Sequence, residues 1–292
     1  MDNLTEQTPA SEKQEEKPFF SVIIHSFFII PFLIAVFCVL LFAAVNLLTK
    51  EQQTAYDYLN NVKIGGITKR WQSAFELSKI LANPKMIPAD SRFYGEMISA
   101  FEQSRHDDSR VRQYLALAMG RTKQPQFFEP LVKDLDSEKE DNLYAIIYAL
   151  GMLQDKRAVD YLVKYLDHPQ ARLRSGAVVA LGSIGDPNSI KFLKKALNDP
   201  EPNVQWGSAI SLAQMKDASG KEVIAKLLNR NYYKQFPEVD VHEQMYLMLA
   251  AIDAARFLKD PQLNSQIKEL SSSETNMKVR AVALEYLNIK NK

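Results

Sequence analysis

A fixed period of 31 residues runs through the middle of the chain. Gly120, Gly151, Gly182 and Ala213 recur at that interval (151 − 120, 182 − 151, 213 − 182), and Asp155, Asp186 and Asp217 keep the same step. A period of this size is the mark of a stacked-repeat architecture, because one short unit cannot bury its apolar face alone. Each unit reads as two helices. In the stretch from Arg172 to Leu197, apolar residues recur at helical spacing, Gly185-Asp186-Pro187 interrupts them, and Ile190, Leu193 and Leu197 resume. Asp followed by Pro is a helix start, since the carboxylate caps free amides and the ring suits the first turn. Small residues at positions 120, 151, 182 and 213 fall where helices of adjacent units must approach closely.

These residues resemble the HEAT repeat family, in the short bacterial form also known from phycobilisome-lyase-type proteins. The resemblance rests on three features. Val111-Arg112, Leu173-Arg174 and Val279-Arg280 open first helices, Ala149-Gly151 and Ala180-Gly182 form an Ala-Leu-Gly block, and the turn Asp stands at 155, 186 and 217. Asn142-Leu143 and Val204-Gln205 occupy the opening position without the Arg. The resemblance implies an all-α, right-handed α-solenoid of HEAT-like helix pairs. It also implies that the opening Arg and the turn Asp pair across the stack, which here assigns Arg174 to Asp155 and gives Arg112 and Arg280 the same structural role.

Ahead of the repeats the chain changes character. Residues 1–17 are polar and acidic without apolar periodicity, the composition of a disordered tail. Residues 18–49 contain no Asp, Glu, Lys or Arg, and 26–48 are apolar for long enough to cross a bilayer, for which about 20 residues suffice. Pro31 is tolerated there and marks a candidate kink. A cleaved signal peptide has an apolar core of only about 7–15 residues and small residues at the cut. Phe42 spoils the one Ala-x-Ala-like site, so a single uncleaved transmembrane helix is expected. Lys50, Lys63, Lys69 and Arg70 on one side outweigh Lys13 and Lys17 on the other, which tips the repeats towards the cytoplasmic face. Residues 50–67 read as a juxtamembrane connector and 68–292 as the solenoid. Its regular units lie at about 107–230, with divergent units on either side.

Little in the chain points to chemistry. Its 36 basic and 35 acidic side chains nearly cancel, against the basic excess of nucleic-acid binders. Cys38 is the one cysteine. Of the histidines, only His242-Glu243 offers a ligand pair, too few for a metal. No phosphate loop or nucleophile motif is present. The expectation is a membrane-anchored scaffold without catalysis, cofactor, metal or small-molecule substrate. The alternatives are an obligate subunit of a larger membrane complex, or a lyase-like or metal-dependent enzyme.

Two features compete as the surface for a protein partner. Lys133, Lys164, Lys195 and Lys226 form a column at the same 31-residue step on second helices, thickened by Lys191, Lys194 and Lys221. This stripe is either a solvated helix face or a groove for an acidic segment of a partner. Tyr232, Tyr233 and Phe236 lie where the period breaks. They either form an interface or fold back to fill the break.

Overall fold

The computed structural model describes residues 25–49, 53–133 and 135–290, and the chain divides into two compact units that part after Gln52. The acidic tail, residues 18–24 of the apolar segment and residues 50–52 of the connector lie outside the described residues. In the first unit a π-helical turn, His25–Ile29, runs into helix α1, Ile30–Thr49. Pro31 falls at the second residue of α1, directly after the π-helical turn, an irregularity of the kind by which a helix accommodates proline. The window Phe27–Val45 is long and apolar enough to cross a membrane, and none of it is buried.

The second unit is an α-solenoid without strands among the described residues. Six helix pairs follow one another, with α2 (Ala55–Ile64) before them and α15 (Met277–Lys290) after. The first helices of the pairs are α3 (Ile67–Ile80), α5 (Ser109–Thr122), α7 (Glu140–Leu153), α9 (Ala171–Ile184), α11 (Pro202–Gln214) and α13 (Val241–Leu258). Their partners are α4 (Ser91–Gln103), α6 (Phe128–Val132), α8 (Val159–Val163), α10 (Ile190–Ala196), α12 (Lys221–Leu227) and α14 (Pro261–Ser273).

The repeated residues explain the repeated geometry. Asp155, Asp186 and Asp217 each accept a hydrogen bond from the backbone N–H two residues on, at 3.0, 2.8 and 2.9 Å. That bond caps a 3₁₀ turn that leads into the second helix. Just past the ends of α5, α7, α9 and α11 a residue is left-handed at the same step: Lys123, Gln154, Gly185 and Lys216, with φ of 55°, 59°, 68° and 62°. Only one of the four is glycine.

The small-residue column sets the spacing of the stack. A Cβ on Gly120 would lie 2.5 Å from the Ala149 carbonyl oxygen, and one on Gly151 would lie 2.6 Å from Ala180 Cα. At Gly182 the obstruction is the Ser211 side chain. Successive first helices therefore run parallel, with backbones in near contact.

Helix α2 belongs to the core rather than to a connector. Thr54 and Asp57 form a reciprocal capping box at its start, and Leu59 and Val62 are buried against the first repeat. The solenoid thus begins some fifteen residues before the boundary expected at residue 68, because the short α2 covers the apolar face that α3 would otherwise leave bare. Apolar packing runs from α2 to α11, and a second cluster centred on Trp206 runs from α11 to α15. Val279, Ala283 and Tyr286 of α15 close the far end.

Candidate functional site

The arginines at the starts of first helices are structural, but their partners are not those expected. Arg174 donates to Asp199 at 2.7 and 2.8 Å and to the carbonyls of His168 and Pro169 at 3.0 Å. Arg112, 2% exposed, bonds Glu138 at 2.5 Å and the Phe101 carbonyl at 2.8 Å, and stacks on the Phe101 ring. Each arginine therefore joins the end of the preceding unit to the end of its own. Asp155 instead holds Arg157, at 2.7 Å. The reason is positional. Arg174 lies in the first turn of one first helix and Asp155 just beyond the last turn of its neighbour. Parallel helices of 14 residues put those points about 20 Å apart. Where the Arg is missing, Asn142 bonds Glu138 and Gln205 bonds the Asp199 carbonyl, at 3.2 and 2.6 Å. Arg280 departs from the pattern: among the described residues its side chain meets the Met277 sulfur and no acid.

The lysine column is a ladder of ion pairs. Lys133 meets Glu102 at 3.0 Å, Lys164 meets Asp136 at 2.9 Å, and Lys195 meets Asp167 at 3.0 Å, each acid belonging to the preceding unit. Lys194 pairs with Asp217 and Lys221 with Asp260. Lys191 lies over the Phe192 ring. Asn198 occupies the place that Asp136 and Asp167 hold in earlier units, and Lys226 has no ion pair among the described residues. The hydrogen bond from Lys164 holds the Asp136 carboxyl below its ordinary value. The stripe consequently presents far less positive potential than its sequence implies.

The aromatic insertion folds inward. It forms a 3₁₀ segment, Arg230–Gln235, wrapped around Trp206, which is 1% exposed. The Trp206 indole N–H donates to the Tyr232 hydroxyl at 3.2 Å, and Phe236 packs edge-on against the indole at 5.2 Å between centroids. Tyr233 is buried and donates to the Leu227 carbonyl at 2.7 Å; burial pushes its hydroxyl up from the ordinary tyrosine value. These rings fill the break in the period, and Arg230 locks it by a fork onto Glu274 at 2.7 and 3.1 Å.

A different surface comes out of the packing. Leu117, Tyr148, Val179 and Ile210 form another column at the 31-residue step, on the outer side of the first helices (148 − 117, 179 − 148, 210 − 179). Tyr148 is 39% exposed and Val179 is 37% exposed, while Leu117 and Ile210 are half-buried. Phe75 extends the stripe through an edge contact with Tyr114 at 5.1 Å. Beside it a groove of about 450 Å³ opens between Tyr144, Val179, Gly207, Ile210 and Leu247. Arg172 stacks on Tyr144 at its rim. The sequence signal was the same interval that exposed the lysines; read alone, four apolar residues on a repeat helix pass for core.

Comparison with known proteins agrees with this geometry. The family profile of HEAT repeats matches residues 98–179 and 161–235. Residues 98–235 are HEAT repeats. The matched HEAT stretch runs from the second helix of unit one to the aromatic insertion, and the units outside it are those whose spacing departs from 31 residues. Among solved structures, the complex of CpcE and CpcF of phycocyanin lyase from Nostoc sp. PCC7120 is similar over 84% of this chain and 90% of that one, at 20% identity and a TM-score of 0.60. Human deoxyhypusine hydroxylase in complex with glycerol aligns at 14% identity over 81% of this chain and 84% of that one, with a TM-score of only 0.36. No curated protein sequence matches the chain. The likeness to the lyase subunits is one of fold. Among the described residues, no three His, Cys, Asp or Glu side chains converge as a metal site would require.

Proposed function

We propose that this protein is a membrane-anchored HEAT-repeat scaffold that binds a partner protein on the outer face of its first helices, without catalysis of its own. The observation that carries the reading is the column Leu117, Tyr148, Val179 and Ile210. It is apolar in four units running and solvent-exposed at its centre. Contiguous exposed apolar patches on a soluble surface mark interaction sites. Its occupant is a segment with an apolar face, such as an amphipathic helix laid across the stack. Helix α1 supplies the attachment, and the basic residues that follow it favour the solenoid on the cytoplasmic side. The buried ionisable groups support a structural rather than catalytic role, since Arg112, Arg174 and Glu274 already have their partners.

Capture of the intact protein from mild detergent tests this with two variants. Tyr148→Asp combined with Val179→Asp is expected to lose partners that the wild type retains. Lys164→Glu combined with Lys195→Glu and Lys226→Glu is expected to keep them. The reverse pattern would move the site to the lysine face and restore an acidic partner.

A further inference from the structure

The corner between α2 and α3 has a property that neither the core nor the partner face accounts for. Ile64 and Ile67 are 75% and 73% exposed, the two most exposed large apolar side chains of the solenoid unit. They flank Gly65-Gly66, where the chain reverses between the two helices. A Cβ on Gly65 would collide with the Asn61 carbonyl oxygen, while Gly66 faces open space. Arg70 clamps the corner by donating to the Val62 carbonyl at 2.8 Å and pairing with Asp107. The two isoleucines thus project from a clamped turn.

The chain through the corner is basic, and two of its three cations meet acids from neighbouring helices. Residues 58–75 carry Lys63, Lys69 and Arg70 and no Asp or Glu. Lys63 reaches Glu96 at 3.2 Å and Arg70 is committed to the clamp, while Lys69 is exposed with no ion pair among the described residues. Five residues, 50–54, separate the end of α1 from the start of α2. They span at most about 18 Å when fully extended, and the ten residues of α2 add about 15 Å. The headgroup layer is therefore within reach of Ile64 and Ile67 by chain length alone.

We propose that the α2–α3 corner inserts into the membrane interface, with Ile64 and Ile67 entering the headgroup–acyl boundary and Lys69 meeting anionic headgroups. The chemistry is that of an interfacial wedge: apolar side chains enter the boundary while basic neighbours are attracted to anionic lipid. It fixes the first repeat against the bilayer as a second point of attachment. The proposal rests on the reading of α1 as a membrane anchor.

The test uses the full chain with an environment-sensitive fluorophore on a single cysteine, reconstituted into phosphatidylcholine–phosphatidylglycerol vesicles with and without nitroxide-labelled lipid. Three variants carry Cys38→Ser with Ile64→Cys, Ile67→Cys or the distant, exposed Lys268→Cys. A fourth sample is labelled at the natural Cys38. Probes at 64 and 67 are expected to shift to the blue and lose most of their emission to lipid nitroxide, while the probe at 268 keeps its own. Quenching at 38 with water-like emission at 64 and 67 would overturn the wedge and leave the anchor standing. Absence of quenching at 38 would overturn the anchor, and the wedge with it.

Discussion

At Gly182 a single added side chain must displace a neighbouring helix, because Ser211 occupies the space a Cβ would need. Gly182→Leu is expected to destabilise by at least the roughly 1–3 kcal/mol typical of overpacking. Lys194→Ala removes only a half-exposed pair with Asp217, worth about 0–1 kcal/mol. Equal melting temperatures for the two variants would refute the register. Lys216 strains in the opposite sense, as a non-glycine residue with φ of 62° in a column where Gly185 fits freely. Lys216→Gly is expected to raise stability by about 1 kcal/mol, read as a shift in denaturant midpoint. The buried Arg112–Glu138 pair gives the largest effect of the three kinds. Arg112→Leu leaves a buried carboxylate and should cost about 3–5 kcal/mol, whereas adding Glu138→Leu should recover much of it. The repeated positions were legible in the sequence because glycine and aspartate at a fixed interval have few physical uses. Their partners were not. Nothing along the chain says which end of a helix an arginine side chain will meet, so Arg174 was assigned to Asp155 when it belongs to Asp199.

At the scale of elements, the break in the period and the connector were legible, but what each packs against was open. The aromatic segment Arg230–Gln235 could be placed only once Trp206 was seen to need a cover, and helix α2 only once the face of α3 was seen to need one. The exposed column of Leu117, Tyr148, Val179 and Ile210 was hidden for the converse reason, since apolarity alone does not say which neighbour is absent. The junction acids add a pH dependence. Burial opposes the charge of Asp199, but Arg174 and a backbone N–H outweigh it and hold its carboxyl below the ordinary value; Asp155 is lowered chiefly by Arg157. A carboxyl depressed in the folded state stabilises fully above its unfolded value, about pH 4, and loses that contribution as pH falls through the folded value. The denaturant midpoint should therefore change little through these groups between neutrality and about pH 5, and fall towards pH 3. In Arg174→Met the part of that fall due to Asp199 should vanish. Identical acid sensitivity in the variant and the wild type would contradict the pairing.

At the scale of the whole molecule, the sequence declares a helix able to cross a bilayer and a stack of helix pairs, and both are present as such. Residues 53–292 contain both apolar clusters, so made without α1 they are expected to fold as a soluble helical solenoid. A circular dichroism spectrum dominated by coil or strand would refute that. Which face meets a partner is the claim on which the functional account turns, because the neutralised lysine ladder and the exposed apolar column lie on different helices of each unit. The most direct measurement is photo-crosslinking in native membranes, with a photoreactive residue placed at position 148 or 179 and, separately, at 164 or 195. The account predicts a discrete crosslinked protein from 148 and 179 and none from 164 and 195; crosslinks confined to the lysine positions would contradict it.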